Sequence, residues 1–435
     1  MTQKISVFWF RRDLRLNDNV GLYNALKSKY AVLPLFIFDT EILEKLPEDD
    51  ARVSFIHQQL QLLRKQLKVA NSDISIYQGK PVEVFGKLMQ KYTLDTVYTN
   101  HDYEPYAIGR DTAVKTVLHK HGIVFKTFKD QVIFEKSEVQ KANGTPYVVY
   151  TPFKNRWKEI FNPSVDLIEY KIEPLFGNFI QRPEPQFLTL EQLGFTESRI
   201  EVPNYTVTSD LIRNYEAKRD YPAEEKGTSR LGPHLRFGTV SIRKTVKKAI
   251  AEKNEVFWNE LIWREFFMQI LWHFPHTVAK AFKPKYDRIV WRNDEKDFER
   301  WKNGQTGFAL VDAGMRELNA TGYMHNRVRM LVASFLCKHL LIDWRWGEAY
   351  FAEKLLDFEL ASNVGNWQWA AGSGVDAAPY FRIFNPMTQV AKFDKHRTYI
   401  NTWVPELQEL SYPSKMVDHK MARERCLKVY KTAVG

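Results

Sequence analysis

The sequence predicts two domains of different fold class, an α/β domain with a Rossmann-like parallel sheet over residues 1–130 and an all-α domain over residues 206–435. Before residue 130, short apolar runs alternate with amphipathic helical segments. After residue 206, long helical patterns replace the strand-like alternation. A chain of 435 residues is long enough for two such domains, and the Pro-containing, polar stretch 131–205 is predicted to connect them.

Four apolar runs are the predicted strands of the first domain. Continuous apolar strands separated by helices indicate a parallel sheet that is covered on both faces, with a pocket at the carboxyl ends of its strands. The runs are ISVFWF (5–10), AVLPLFIF (31–38), DISIYQG (73–79) and TVYTN (96–100), and the helical segments between them include residues 52–67 and 107–122.

Breakers mark the connector, and helical periodicity marks the second domain. The segments NGTPYVVYTPF and RPEPQF interrupt regular structure between residues 131 and 205. Beyond them, five segments repeat apolar residues with the period of an α-helix. They are residues 241–253, 255–273, 307–319, 324–341 and 347–356.

Composition restricts the class of protein and of partner. The chain has 63 Lys+Arg against 52 Asp+Glu, and its net charge of +11 favours a polyanionic partner such as nucleic acid, although a basic surface is often only a solvated surface. Two cysteines, Cys337 and Cys426, are too few for a disulfide scaffold, a Cys-based zinc site or an iron–sulfur cluster, so we expect a reducing compartment and no metal. ISVFWF is too short for a signal sequence and no stretch has the length of a membrane span, so we expect a soluble cytoplasmic protein.

Tryptophan is concentrated in the second half of the chain. A hydrophobic core alone rarely needs so many, although core filling and surface packing account for several. In NVGNWQWAAGSG (363–374), Trp367 and Trp369 are two residues apart, and in a helix they would leave the backbone on nearly opposite sides. The ten tryptophans after residue 250 are Trp258, Trp263, Trp272, Trp291, Trp301, Trp344, Trp346, Trp367, Trp369 and Trp403.

The segment WNELIWREFF (258–267) places an acid beside a large aromatic side chain. Glu260 and Trp263 are three residues apart and therefore share a helix face. A carboxylate in so apolar a segment is a candidate site residue. The alternative is a carboxylate at the rim of the fold that pairs with Arg264, and both interpretations stay open for this segment.

The segment MHNRVRM (324–330) offers groups that suit a base-like planar ligand. Asn326 and Met330 lie on one helix face with Arg329 nearby, whereas Arg327 points elsewhere and can reach a phosphate. An asparagine amide both donates and accepts hydrogen bonds, and methionine adds a polarisable apolar surface. Taken alone, the segment is better explained as a helix with a capping asparagine and solvated arginines.

Two glycine-containing segments are candidate loops for phosphate or nucleotide. In GTSRLGPHLRFG (227–238), Thr228 and Ser229 can present hydroxyl and N–H groups to a phosphate at a helix start, and the alternative is an ordinary N-cap. AGSGVDA (371–377) matches G-x-G-x-x-A superficially, but no apolar strand precedes it, so we reject a dinucleotide fingerprint there.

A further segment, YFRIFNPMTQVAKFD (380–394), interleaves cations with aromatic side chains. Arg382 and Lys392 alternate with Phe381, Phe384 and Phe393, as in surfaces that pair phosphate contacts with base stacking. A loop that packs its own aromatic side chains is an equally good alternative. The chain shows no P-loop and no Ser-His-Asp order, so its polar groups favour binding of a planar ligand over hydrolysis.

Six motifs, taken in order, resemble the photolyase/cryptochrome family nearly end to end, most closely its class I cyclobutane pyrimidine dimer photolyases. This resemblance implies an N-terminal α/β domain and a C-terminal helical domain that holds FAD. The motifs are WFRRDLRLNDN (9–19), TSRLGPHLRFG (228–238), WNELIWREFF (258–267), GYMHNRVRM (322–330), LLIDWRWGEAYF (340–351) and NWQWAAGSGVDAAPYFRIFNP (366–386).

The resemblance also implies which residues contact FAD. Asn363 matches the residue that faces the reactive flavin nitrogen, and its amide can bond to that nitrogen in either protonation state. Arg329 and Asp357 would form an ion pair beside the flavin. Gly232 stands where serine is common in the family, and Glu359 stands where aspartate is common. The implied set is Tyr215, Thr228, Ser229, Arg230, Leu231, Gly232, Arg264, Arg329, Asp357, Phe358, Glu359 and Asn363.

Members of the family that repair cyclobutane pyrimidine dimers carry Glu, Trp, Asn, Met and Trp in the substrate pocket. This chain matches all five, and a Glu260 kept neutral by burial would donate a hydrogen bond to a thymine carbonyl. The matching residues are Glu260, Trp263, Asn326, Met330 and Trp369; Trp367, Trp344 and Trp291 match the relay of electrons to oxidised flavin; and Arg219, Arg327, Arg382, Lys392 and Lys154 are the candidate phosphate contacts.

The resemblance therefore implies a monomeric enzyme, a deoxyribodipyrimidine photo-lyase that repairs dimers in UV-damaged DNA by electron transfer from light-excited, reduced FAD. One alternative is a cryptochrome-like blue-light sensor without repair, which usually carries a long C-terminal extension, whereas this chain ends about fifty residues after the FNP motif. Another is a non-catalytic DNA-binding flavoprotein. Tyr106 and Ala107 lack the polar pair of folate-binding members, which leaves a deazaflavin, a second flavin or an empty pocket as alternatives for the antenna.

Overall fold

The computed structural model describes residues 4–181 and 187–435 and divides the chain into two compact units. The predicted breaker RPEPQF falls almost wholly on residues 182–186, outside the described residues. The first unit comprises Met1–Glu135, Phe161–Asn204 and Leu231–Lys248, and the second comprises Lys136–Ile160, Tyr205–Arg230 and Ala249–Gly435.

The first unit contains a five-stranded parallel sheet with the order β3-β2-β1-β4-β5. The four predicted runs correspond to β1 through β4, and the α/β class is confirmed. β5 was not predicted, because it is an edge strand whose residues are exposed or half-buried, so it lacks a continuous apolar run. The strands are β1 (Lys4–Phe10), β2 (Val32–Phe38), β3 (Ser75–Gln78), β4 (Thr93–Asn100) and β5 (Val124–Phe128).

Apolar side chains cover both faces of this sheet. In β1, Phe8 and Phe10 belong to one buried cluster and Val7 and Trp9 to another, because alternate residues of a strand point to opposite faces. Burial on both faces explains why the run is almost wholly apolar. The α-helices of this unit are Val20–Leu26, Thr40–Leu43, Ala51–Val69, Pro81–Lys91, Pro105–Lys120, Pro163–Asp166, Gly232–Arg236 and the part of Ile242–Ala251 that precedes residue 249.

A buried ion cluster ties the segment Leu231–Lys248 to the rest of the first unit. Arg243 contacts Asp18 at 3.0 Å and Asp130 at 2.9 Å, and Arg15 contacts Asp130 at 2.7 Å. All four side chains are buried. This segment therefore groups with the α/β unit, whereas the predicted domain boundaries had assigned it to the helical domain.

Helices build the second unit around a core that contains Trp301, Trp344 and Trp367. The helix predicted over residues 324–341 is instead an α-helix that passes into a π-helical turn over Phe335–Leu340, which ends where Leu341 takes a φ of 52°. The α-helices lying wholly in this unit are Tyr150–Ile160, Ser209–Lys218, Glu255–His273, Glu295–Lys302, Ala309–Thr321, Asn326–Ser334, Trp344–Lys354, Leu360–Ala371, Pro386–Phe393, Thr398–Trp403 and His419–Val434.

The stretch predicted as a connector, residues 131–205, contains short helices and is shared between the two units. Its helices besides Tyr150–Ile160 and Pro163–Asp166 are the 3-10 turns Glu173–Asn178 and Glu191–Leu193. Over residues 4–181 and 187–435, no helix is both long and apolar enough to cross a membrane.

Candidate functional site

Two adjoining cavities lie within the second unit. The inner cavity, lined by Arg329, Asp357, Phe358, Asn363 and Trp367 among others, has an empty volume of about 600 Å³. The outer cleft has an empty volume of about 880 Å³. The outer cleft is lined by Arg219, Glu260, Trp263, Arg264 and Phe267, and both cavities are lined by Asn326, Met330, Ser362, Asn366 and Trp369.

The helix Glu255–His273 supplies one wall of the outer cleft. It begins after Asn254, whose side chain accepts a hydrogen bond from the backbone N–H of Phe257. Glu260, Trp263 and Phe267 recur at three- and four-residue spacing, so they share the face toward the cleft. The predicted common face of Glu260 and Trp263 is therefore present.

The helix Asn326–Ser334 supplies residues to both cavities. Its N-cap is His325, whose Nδ1 accepts from the backbone N–H of Arg327 at 3.2 Å, so the alternative of a capping asparagine is wrong. Asn326 does not cap the helix, and it borders both cavities together with Met330.

The helix Leu360–Ala371 carries both tryptophans of NWQWAAG, as the helical interpretation requires, and ends at Gly372 with a φ of 88°. Trp367 is buried against Phe351, with ring centroids 5.0 Å apart, whereas Trp369 is half-buried and borders both cavities. A Cβ on Gly365 would collide with the Phe267 ring, so the small residue allows this helix to approach Glu255–His273 closely.

Glu260 is neither buried deeply nor paired with Arg264. Its side chain is 35% exposed and forms an ion pair with Arg219, while Arg264 contacts Glu359 at 3.0 Å. The predicted pairing with Arg264 is therefore wrong, and so are the deeply buried surroundings expected for Glu260. Arg219, a candidate phosphate contact, lines the outer cleft beside this carboxylate.

Two ion pairs border the inner cavity. Arg329 contacts Asp357 through both terminal nitrogens, at 3.1 Å and 3.0 Å, as the family resemblance implied. Burial opposes the charge of Arg329, but the contact with Asp357 prevails and raises the pKa of its guanidinium. The second pair, Arg264 with Glu359, borders this cavity through Glu359, whose Oε2 accepts a hydrogen bond from the Ser362 hydroxyl at 3.3 Å.

The amide of Asn363 has a fixed orientation. Its Nδ2 donates to the backbone oxygen of Glu348 at 3.0 Å and to Glu348 Oε1 at 2.9 Å. Since a backbone carbonyl can only accept, the amide nitrogen must face Glu348, and Oδ1 is the atom left for the cavity that Asn363 lines. Glu348, which lies on the preceding helix Trp344–Lys354, was not among the predicted site residues.

The loop with Thr228 and Ser229 is held by Tyr323, a residue that the sequence reasoning did not single out. Arg230 takes a left-handed φ of 56° and places its guanidinium 3.6 Å from the centre of the Tyr323 ring, and the Thr228 hydroxyl lies 3.4 Å from the Tyr323 hydroxyl. Ser229 accepts a backbone hydrogen bond from Thr206 at 2.8 Å.

The remaining predicted FAD contacts of this region fall in different surroundings. The short helix Gly232–Arg236 follows Leu231 without a side-chain cap, so the N-cap alternative for Thr228 and Ser229 is wrong. Leu231 and Gly232 are counted in the first unit. Tyr215 lies on the helix Ser209–Lys218, edge-on to Phe257 at 5.1 Å.

The three tryptophans of the predicted relay differ in burial. Trp344 and Trp367 are buried in the core of the second unit, whereas Trp291 packs at its edge against Tyr430, with ring centroids 6.0 Å apart. Trp367 also contacts Trp301 at 6.2 Å, a neighbour that the sequence did not indicate. Gly347 makes room for Trp367, because a Cβ there would collide with the indole.

The other candidate phosphate contacts include both exposed and engaged cations. Arg382 and Lys392 are exposed, and each lies over a phenylalanine ring of its own segment. Arg327 contacts Asp220 at 2.5 Å, and Lys154 is half-buried on the helix Tyr150–Ile160. Phe381 is 60% exposed, so the alternative that this loop only packs its own aromatic side chains does not account for it.

In the first unit, the strand order reverses between β1 and β4, which is where the predicted pocket at the carboxyl ends of the strands would lie. Tyr106 donates a hydrogen bond to Asp39 at 2.6 Å, and Ala107 is buried. Arg12, just after β1, contacts both Asp102 and Glu104 at 3.1 Å. These side chains at the carboxyl ends of the strands are thus engaged with one another.

The parallel-sheet unit and the helical unit with its paired cavities are the two parts of a photolyase/cryptochrome-type flavoprotein. Family models match both parts: "DNA photolyase" over residues 6–171 and "FAD binding domain of DNA photolyase" over residues 257–411. The deoxyribodipyrimidine photo-lyase of Halobacterium salinarum is 36% identical, over 99% of this chain and 100% of the relative. The chain therefore belongs to the DNA photolyase family, and the predicted enzyme class is confirmed.

Solved structures extend the similarity to the whole fold. A class III photolyase from Agrobacterium tumefaciens is 34% identical with a TM-score of 0.89, over 100% of this chain and 98% of the other. An archaeal photolyase from Sulfolobus tokodaii, solved with two FAD molecules, is 35% identical with a TM-score of 0.85, over 98% of this chain and 99% of the other. The match to the FAD-binding domain supports FAD as cofactor, whereas the closer assignment to class I stays a prediction.

Proposed function

We propose that this protein repairs cyclobutane pyrimidine dimers in UV-damaged DNA in a light-dependent reaction with reduced FAD. The main observation in support of this proposal is that the two cavities share lining residues: Asn326, Met330 and Trp369 border both. A planar cofactor in the inner cavity and a flipped-out lesion in the outer cleft would lie against each other. Flipping costs less free energy for a damaged base, because it is already poorly stacked.

The inner cavity fits a reduced flavin. Asn363 presents Oδ1, a hydrogen-bond acceptor, to the cavity. An asparagine amide could bond to the flavin nitrogen in either protonation state of that nitrogen, but an acceptor matches only the protonated one. Arg329 and Asp357 neutralise each other, so neither charge is left unpaired beside the ring. When bound, reduced FAD supplies the light-driven electron. The proposed FAD contacts are Tyr215, Thr228, Ser229, Arg230, Leu231, Gly232, Arg264, Arg329, Asp357, Phe358, Glu359 and Asn363.

The outer cleft fits the lesion. Trp263 and Trp369 offer apolar faces to the fused thymine rings, and Asn326 offers hydrogen bonds to a base edge. We propose that Arg219 donates to a thymine carbonyl and that Glu260, the carboxylate of the same ion pair, accepts from a thymine ring N–H, because this pair is more exposed in the cleft than Arg264 with Glu359. Stabilising charge that develops on that carbonyl is the largest contribution such a site can make.

Two further assignments rest on the family motifs. We propose that Trp367, Trp344 and Trp291 relay electrons toward the inner cavity, which Trp367 borders. We propose that Arg382 and Lys392 contact DNA phosphates, supported by their exposure and by the net charge of +11, with Arg327 and Lys154 as further candidates. A monomeric state is proposed and would be tested by sedimentation.

A second chromophore in the first unit is proposed to be a flavin or a deazaflavin. The archaeal relative with two FAD molecules supports a flavin, and the engagement of Tyr106 with Asp39 argues against a folate at that position. The absorption spectrum of the freshly purified protein, together with the ratio of flavin to protein, distinguishes these pigments. One FAD per chain and no other visible absorption would contradict a second chromophore.

The main proposal is tested with reduced protein and an oligonucleotide that contains one cyclobutane dimer, with and without blue light. We expect dimers to disappear only in the light. Binding of the lesion without light-dependent loss would contradict repair and favour the non-catalytic flavoprotein. Neither binding nor repair would favour the cryptochrome-like sensor.

A further inference from the structure

We propose that Tyr150 is a positioning residue that sets the two tryptophan walls of the lesion cleft. This inference rests on the proposed function, because it assigns Tyr150 a role in binding the lesion. Tyr150 begins the helix Tyr150–Ile160 and is buried. It contacts the supports of both walls, one through its side chain and the other through its backbone.

The side chain of Tyr150 fixes the first wall, Trp263. The two rings stack face to face, with centroids 3.5 Å apart and planes 8° from parallel. The Tyr150 hydroxyl donates to the backbone oxygen of Asn259 at 2.8 Å, one turn before Trp263 on the same helix. Two contacts one helical turn apart hold the tyrosine ring along the helix and leave it little freedom to rotate.

Tyr150 covers one face of the Trp263 indole. Trp263 is half-buried and lines the cleft, whereas Tyr150 is 7% exposed and does not line it. The other face is the one that we assign to a base, with Phe267 beside the indole at 5.6 Å between ring centroids and 27° between planes. A partner behind the indole holds its plane before the lesion arrives, so less side-chain freedom is lost on binding.

The backbone of Tyr150 contacts the support of the second wall. Its N–H donates to Asp376 Oδ2 at 3.2 Å. Asp376 lies in the loop that follows the helix Leu360–Ala371, which carries Trp369, and takes a left-handed φ of 45°. Asp376 is exposed, and the Tyr150 N–H is one partner of its carboxylate. One residue thus links the two walls, which belong to different helices.

The test compares Tyr150→Leu with Tyr150→Phe. Leucine removes the stacked ring, and phenylalanine keeps it while losing only the hydroxyl bond to Asn259. We expect Tyr150→Leu to weaken dark binding of a dimer-containing oligonucleotide by about three- to tenfold, the effect of one aromatic pair. Tyr150→Phe should recover most of this affinity. Binding of the same oligonucleotide without a dimer should be unchanged in both variants.

Phe153→Leu is the matched control, because Phe153 is buried on the same helix and packs on Phe266, at 5.2 Å, rather than on Trp263. Thermal unfolding of each variant verifies that it folds. An equal loss of dimer affinity in Phe153→Leu and Tyr150→Leu would overturn the proposal, and so would a Tyr150→Leu protein that binds the dimer as the wild type does.

Asp376→Ala tests the backbone link separately and does not touch the stacked rings. We expect a loss of dimer affinity of about two- to threefold, the scale of one hydrogen bond, and no change would overturn the link to the second wall. Failure of the proposed function shows itself differently, as wild-type protein that binds the dimer in the dark and leaves it intact in blue light.

Discussion

The ion pairs of the first unit and those of the second unit have different surroundings. In the first unit, Arg15, Asp18, Asp130 and Arg243 are buried and contact one another and nearby backbone oxygens. Their hydrogen-bonding capacity is used largely within the fold. Such a cluster holds the segments of the chain together but offers little to a ligand.

In the second unit, the pairs Arg219–Glu260 and Arg329–Asp357 line the two cavities. Each pair contributes charge to a space that a ligand can enter. The comparison shows that a paired arginine does not by itself mark a functional site. What distinguishes the site is a pair with one side open to a cavity that a ligand can enter.

The largest effect is expected from a substitution that breaks the buried ion cluster of the first unit. Asp130→Ala leaves Arg15 and Arg243 buried without their shared carboxylate, and breaking a buried pair in this way costs about 3–5 kcal/mol of unfolding free energy. Urea unfolding measures the loss. Asp95→Ala is the control, because Asp95 is half-exposed and pairs with the exposed Lys4, so it should cost less than about 1 kcal/mol. Similar losses in the two variants would contradict the contrast.

A smaller effect is expected at the pair Arg219–Glu260, and it concerns repair rather than stability. Glu260→Ala should lower the number of dimers repaired per absorbed photon by about tenfold, the scale of one charge-assisted hydrogen bond, and should change dark affinity for the dimer less. Glu255→Ala, on the same helix but with a side chain 73% exposed, should leave both quantities unchanged. Equal losses of repair and of affinity in Glu260→Ala would contradict the role of Glu260.

The last expected effect concerns the pH dependence of stability. Burial, together with Arg230 and Arg329, lowers the pKa of His325 to about 4, below the value near 6.5 of an unfolded chain. Between these values the unfolded chain binds more protons, so the unfolding free energy falls as the pH drops from 6.5 to 4, by at most about 1.4 kcal/mol per pH unit.

His325→Asn should remove this part of the pH dependence, since asparagine can still accept the N-cap hydrogen bond. Urea unfolding at pH 7, 6 and 5 measures the slope in both proteins. Replacing the exposed His119 by asparagine should leave the slope as it is in the wild type. An unchanged slope in His325→Asn would show that another buried group sets it.

Much of the fold could be predicted because it depends on local patterns. The strands β1 to β4 can be recognised as apolar runs, because both faces of the sheet are buried. β5 could not be predicted in this way, because an edge strand needs no such run. The π-helical turn Phe335–Leu340 could not be distinguished from an α-helix, because its apolar residues continue the helical pattern before it.

The residues of the candidate site were found by motif, and their partners were not. The sequence pointed to Asn363 and Glu260, but the group that orients Asn363 and the cation that pairs with Glu260 come from other helices. Glu348 and Arg219 carry no local signal for these contacts, because hydrogen bonds between distant segments leave no periodicity in the sequence.

By itself, the sequence determined the two fold classes, the order of most of their elements and the residue types available for a planar ligand. Burial on both faces makes the strands continuous apolar runs, and burial on one side imposes a period of 3.6 residues on the helices. Tertiary structure decided which side chains meet. It assigned the segment Leu231–Lys248 to the α/β unit through Arg243, turned the amide of Asn363 toward Glu348, and placed Tyr150 behind Trp263. These contacts join residues far apart in the chain, so only the packed fold could specify them.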